Sequence, residues 1–205
     1  MRATQNIYLW LVVVLVLIGL QSASAQITIP ISEEQVLYEM IGEFNNSGLS
    51  SQQFGYFADI TGLGNVLSST STKNETTALF TFVTNATTFQ VVNNGPFRIV
   101  DRTGTTTIYL NNGPSDFSNP ATFSQGTPIQ VSSYRQQAIL NTLTNTFVTV
   151  HTNTITDVET FTLNGFAYRL GQLGKSFRTN LSGQANTPGA VPSGWFAGTS
   201  TGSKN

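Results

Sequence analysis

From Thr76 onward the chain is a succession of short segments rich in Thr, Val, Ile, Phe and Tyr, each closed by turn residues. β-Branched and aromatic side chains suit a pleated, half-buried surface. Asn94-Gly95 and Asn164-Gly165 fall between such segments, and Asn-Gly favours the positive φ angles of two-residue hairpins. The spacing predicts strands over 77–84, 87–93, 97–101, 105–110, 128–143 (bent or broken), 146–156, 158–163, 166–170 and 175–182. Arg102-Thr103-Gly104 and Thr144-Asn145 read as further reversals, and Asn111 to Gln125 reads as an ordered surface loop. About eight short strands in roughly one hundred residues predict a mainly β fold, a single antiparallel β-barrel or closed sandwich. Closure removes the exposed edges through which strands aggregate.

Composition favours closure too. Only 9% of residues are charged, so edge strands have little charge with which to repel a partner. Ser, Thr, Asn and Gln together make up 80 of 205 residues. Nine basic residues against ten acidic ones leave a net charge of −1, without the basic excess that marks nucleic-acid binding. Cysteine is absent, which removes disulfides, thiol nucleophiles and thiolate metal sites. A single His cannot build a multi-histidine metal centre. No cofactor is expected.

Residues 1–25 read as a secretory signal. Arg2 precedes an apolar run from Ile7 to Leu20, and Ala23-Ser24-Ala25 supplies a small-residue cleavage site. As a helix that run would span about 21 Å, short of a roughly 30 Å hydrocarbon core. Cleavage would expose Gln26 and leave no second run long enough to span a membrane as a helix. The expected location is secreted or extracellular, or periplasmic in a Gram-negative source. A mature chain of this length buries about 70% of its unfolded surface, enough for one core without disulfides.

One amphipathic helix is expected ahead of the β region. Ser32 and Gln35 fit a capping box, Glu33 and Glu34 suit the first turn, and Val36, Leu37, Met40, Ile41 and Phe44 share one helical face. The predicted helix covers about 33–44, with a weaker helical turn within 50–58 and a loop over 62–71. The organisation is then a 1–25 leader, a 26–75 helical segment and loop, a 76–183 barrel and a 184–205 tail, one domain overall. Pro188, Gly189, Pro192 and Gly194 make the tail extended or loosely attached, with Trp195-Phe196 as a final apolar clamp and 199–205 disordered.

Candidate ligand-binding residues come from polar groups set in apolar strands. In Thr146–Thr156 one parity carries Phe147, Thr149, His151, Asn153 and Ile155. That parity directs His151 either into a barrel cavity or, on a Thr-rich outer face, to solvent. His151 is the side chain expected to titrate near neutral pH. Tyr134 and Arg135 share a long strand, and Arg98, Tyr168 and Arg169 are flanked by apolar residues. An inward Arg would bind a carboxylate; an outward one is solvated or paired with Asp101 or Asp157.

Catalytic signatures are sparse. The G-x-S-x-G nucleophile elbow is missing. Gly62-Leu63-Gly64 lacks the third Gly of a dinucleotide loop, and no clustered acids suggest calcium. Asp157 and Glu159 sit where a turn is expected, which weakens an acid-pair hydrolase reading. Asn45, Asn74, Asn85 and Asn180 head N-x-S/T sequons. An outer-membrane barrel fits the low charge, but segments of 5–8 residues fall short of the 9–11 that such strands need. In general character the chain is similar to small secreted antiparallel barrels of the lipocalin-like or allene-oxide-cyclase-like kind. No family motif appears in it, so that similarity carries no functional residue.

The leading expectation is non-enzymatic binding of a small apolar or glycan-like ligand. The alternatives are a structural or adhesive extracellular role with self-association, and a cofactor-free isomerase or cyclase working inside the barrel.

Overall fold

The computed structural model describes residues 26–29 and 36–202. The leader expected over 1–25 and the capping box expected over 32–35 lie outside them. Eleven strands follow in order: β1 (Gln26–Ile29), β2 (Val36–Ser47), β3 (Ser50–Ile60), β4 (Phe80–Asn94), β5 (Phe97–Leu110), β6 (Thr127–Asn141), β7 (Thr146–Val158), β8 (Thr160–Leu163), β9 (Phe166–Leu170), β10 (Ser176–Ala185) and β11 (Gly194–Gly202). Eight close into an antiparallel barrel in the order β10-β11-β2-β3-β4-β5-β6-β7, with β7 pairing back to β10. The mainly β, closed-barrel expectation holds.

The other three strands form a small sheet, β1-β9-β8, with β1 parallel to β9. It stoppers one end of the barrel. Ile29, Phe161 and Leu170 from this sheet join Phe80, Ile129 and Ile155 of the barrel in one apolar core. Gln130 Nε2 donates to the Leu170 carbonyl at 2.7 Å, tying stopper to wall. The opposite end, where the 47–50, 94–97 and 141–146 turns lie, is the mouth. There Gly95, Asn145 and Gly48 take positive φ, as expected for tight hairpins. Asn164 and Gly165, also at positive φ, make the β8–β9 hairpin.

The helix expected over 33–44 is overturned across 36–44, which belongs to β2. Apolar residues at 36, 37, 40, 41 and 44 satisfy a helical stripe, but they also suit a strand covered on both faces, an ambiguity inherent in such runs. Leu37 and Tyr38 are consecutive and both buried, as only a two-sided strand requires. The turn expected within 50–58 is likewise strand β3. Over 199–202 the chain is paired in β11, not disordered. The tail therefore supplies a wall of the barrel, which draws strands from well outside 76–183.

The reversal expected at Arg102-Thr103-Gly104 does not occur; β5 runs straight through it. Gly104 is required there for another reason. A Cβ on it would collide with the Asn85 carbonyl oxygen of β4, so glycine marks a close strand approach, not a turn. With such breaks removed, β2 to β7 are 11–15 residues long, and the length argument against a membrane barrel falls. The outer wall nevertheless exposes Glu39, Asn85, Arg135, Gln137 and Arg178 rather than a continuous apolar band. Among the described residues no helix is long and apolar enough to cross a membrane.

Candidate functional site

Cross-strand register sets the inner face. In β7, Phe147, Thr149, His151, Asn153 and Ile155 point inward, and Thr149, His151, Asn153 and Ile155 are buried. Near the stopper the interior is apolar: Tyr38 packs edge-on against Phe57 and Phe177 at 5.2 and 5.4 Å. Burial pushes the Tyr38 hydroxyl up to about 12.

Above this lies a polar belt. Arg102 Nη1 donates to Gln136 Oε1 at 2.9 Å, Nε to Thr88 Oγ1 at 3.2 Å, and Nη2 to Asn46 Oδ1 at 3.4 Å. Gln136 Nε2 lies 3.1 Å from His151 Nε2, and Thr149 Oγ1 lies 2.8 Å from the same nitrogen. Gln53 Nε2 donates to the Tyr134 hydroxyl at 2.7 Å. These contacts fix the orientations. Arg102 can only donate, so the Gln136 oxygen faces it and the Gln136 amide NH₂ faces His151. His151 Nε2 therefore accepts, and its proton sits on Nδ1.

Electrostatics follow from burial. His151 is pushed down to about 3, chiefly by burial and further by the Arg102 charge. It stays neutral at pH 7, so the expectation that it titrates near neutrality is overturned. Burial also raises the Tyr134 hydroxyl well above its ordinary value, against the lowering effects of Gln53 and Arg102. Arg102 itself is lowered by burial. The belt therefore holds two neutral titratable groups and one cation.

Toward the mouth the belt floors a small cavity of about 90 Å³ that opens to solvent. Phe44, Val100, Leu140, Phe147, Leu181 and Phe196 form its walls; Arg102, Gln136, Gln53 and Thr149 form its polar side. Phe44 and Phe147 meet edge-on at 5.5 Å.

Of the residues expected from sequence, Tyr134 and His151 converge, their rings 4.9 Å apart. The others do not join them. Arg98 pairs with Leu140 across the strands at the mouth and is exposed. Arg135 is on the outer wall, 5.7 Å over the Phe89 ring, because β6 alternates and Tyr134 takes the inward place. Tyr168 and Arg169 belong to the stopper sheet, where Tyr168 stacks on Phe161 at 5.9 Å. Sequence reasoning missed Arg102, Gln53 and Gln136. Arg102 shares parity with Val100 and Ile108, a signal hidden by reading 102–104 as a turn. Of the sequon residues, Asn85 and Asn180 are exposed, while Asn45 and Asn74 are half-buried.

A further titratable group lies on the outer wall. Glu43 is buried and pairs with Phe54 on one side and Trp195 on the other. Phe117 from the 111–126 segment touches both rings, at 6.2 and 5.0 Å. Burial, helped by the negative charge of Glu75, pushes the Glu43 carboxyl up to about 7.

No protein-family model matches the chain, and neither a curated protein nor a solved structure matches it. The geometry stands alone. Among the described residues no cluster of three or more His, Asp or Glu side chains is placed to hold a metal ion.

Proposed function

We propose that this barrel is a non-enzymatic binding protein for one small, largely apolar molecule held in the mouth cavity. The observation that carries the reading is the lining of the cavity: aromatic and aliphatic walls over a single polar side, open toward the mouth. An eight-stranded barrel is filled by its own side chains or holds one small ligand, and here the packed part lies toward the stopper while the mouth end stays open. The walls favour an apolar molecule over a glycan, since hydrogen-bond partners come from one side only. The apolar run and Ala23-Ser24-Ala25 site of the leader support a secreted protein.

Native mass spectrometry of the protein purified from its own host tests this. The expected result is a monomer with a discrete bound small molecule, lost in Ala138→Trp, which fills the cavity, at unchanged Tm. An empty parent protein, or a bound mass that survives the substitution, overturns the reading.

A structural role through self-association is the second reading, favoured by one outer row. Val92, Ile99, Ile139 and Val148 pair across four strands and are each 39–56% exposed. Sedimentation velocity would show oligomers that Ile139→Lys dissolves; a monomer at all concentrations removes this reading. The isomerase or cyclase reading has less support, because the belt keeps both His151 and Tyr134 away from near-neutral proton transfer.

A further inference from the structure

Arg102 is half-buried in the cavity wall, and every partner it has is neutral. A guanidinium offers five N–H donors; three go to Thr88, Gln136 and Asn46, so two remain. No carboxylate among the described residues pairs with it. Its neighbour Asp101 lies on the opposite face of the strand, in register with Gln90 and Gln137. The other titratable groups of the belt, Tyr134 and His151, carry no charge at neutral pH. Arg98, at the mouth, adds a second positive charge close enough to be felt by Arg102. The chain as a whole has net charge −1, yet its cavity mouth is positive.

Burying a cation without a counter-ion is costly. A guanidinium facing an apolar cavity with free donors is matched by a planar carboxylate, which accepts two N–H bonds at once. We infer that the ligand of this cavity is an amphipathic monocarboxylate, its carboxylate seated on Arg102 and its apolar body along Phe44, Phe147 and Phe196. This inference rests on the binding reading above and specifies the chemistry of the bound molecule. Positive charge at the mouth also draws an anion toward the opening.

The test uses matched probes, decanoate and decanol, titrated into the full-length folded protein by isothermal calorimetry at pH 7.5. Decanoate is expected to bind at least about tenfold more tightly than decanol. Arg102→Gln should bring decanoate down to the decanol level and leave decanol unchanged. A merely structural Arg102 would lower both affinities together, which overturns the inference. Equal binding of the two probes to the parent protein overturns it while leaving the apolar cavity reading intact. Binding of neither probe overturns both.

Should Arg102→Gln fail to fold, the parent protein alone decides. Its preference for decanoate should fade as pH falls below the ordinary carboxylate range, and decanol binding should stay level over the same steps. A preference that persists in the protonated acid overturns the inference.

Discussion

Arg102 Nη1 donates to Gln136 Oε1 at 2.9 Å, and the same amide presents its Nε2 to His151 Nε2 at 3.1 Å. One neutral side chain therefore links the cation to the imidazole and sets the tautomer. Gln136→Glu should neutralise Arg102 from within the cavity and place a negative charge beside His151. The imidazole should then rise from about 3 toward the neutral range. With one His in the chain, a single pair of NMR ring signals reports it. The parent protein should show no titration between pH 5 and 8, and the variant should.

Gln136→Leu should destabilise the fold by about 2–3 kcal/mol, because it strands buried donors and acceptors on several partners. Urea unfolding at pH 7 measures it. A cost near zero would mean that water replaces the amide.

Two buried groups impose opposite pH slopes. His151 is held near 3 against an ordinary 6.5. As pH falls from 6.5 toward 3 the unfolded chain takes a proton that the folded one refuses, so stability is lost toward acid. Glu43 is held near 7 against 4.5. As pH rises from 4.5 to 7 the unfolded chain releases a proton that the folded one keeps, so stability is lost toward neutrality. Between 4.5 and 6.5 the slopes oppose each other. Relative to the parent, His151→Gln should gain stability as pH falls through that window, and Glu43→Gln should gain it as pH rises. Denaturation midpoints at half-unit pH steps check both signs.

Above pH 7 Glu43 is ionised between Phe54 and Trp195. Glu43→Gln should raise Tm there and leave it nearly unchanged at pH 4. Trp195 fluorescence in the same samples should respond to pH in the parent and respond less in the variant.

Gly104→Ala should cost on the order of 2 kcal/mol, since the added methyl meets the Asn85 carbonyl and the strands must part. Thermal melts of the variant give the value. An unaffected Tm would show that the β4–β5 contact yields freely.

The barrel was legible because its signals are local: Asn-Gly pairs at Asn94 and Asn164 mark reversals wherever they fall, and the alternation of β7 put Phe147, Thr149 and His151 on one face. Local signals failed where long-range contacts decide. β2 reads as a helix because apolar residues fall on both of its faces, and burial of the outer face, seen at Leu37, depends on tertiary contacts that the local sequence does not show. Gly104 reads as a turn because closeness to Asn85 leaves no trace in its neighbours. Arg102 was lost with that error. Arg135 had two readings, inward or solvated, and alternation with the inward Tyr134 selects the solvated one. Burial, which reverses the titration roles of His151 and Glu43, is a property of the closed barrel and not of either residue.

The β11 strand lies between β10 and β2, joining a late segment of the chain to an early one. It is the one strand that joins those two neighbours, and its Phe196 also lines the cavity. Perimeter and pocket thus share a single keystone: the segment that seals the ring also supplies part of the wall a ligand would touch.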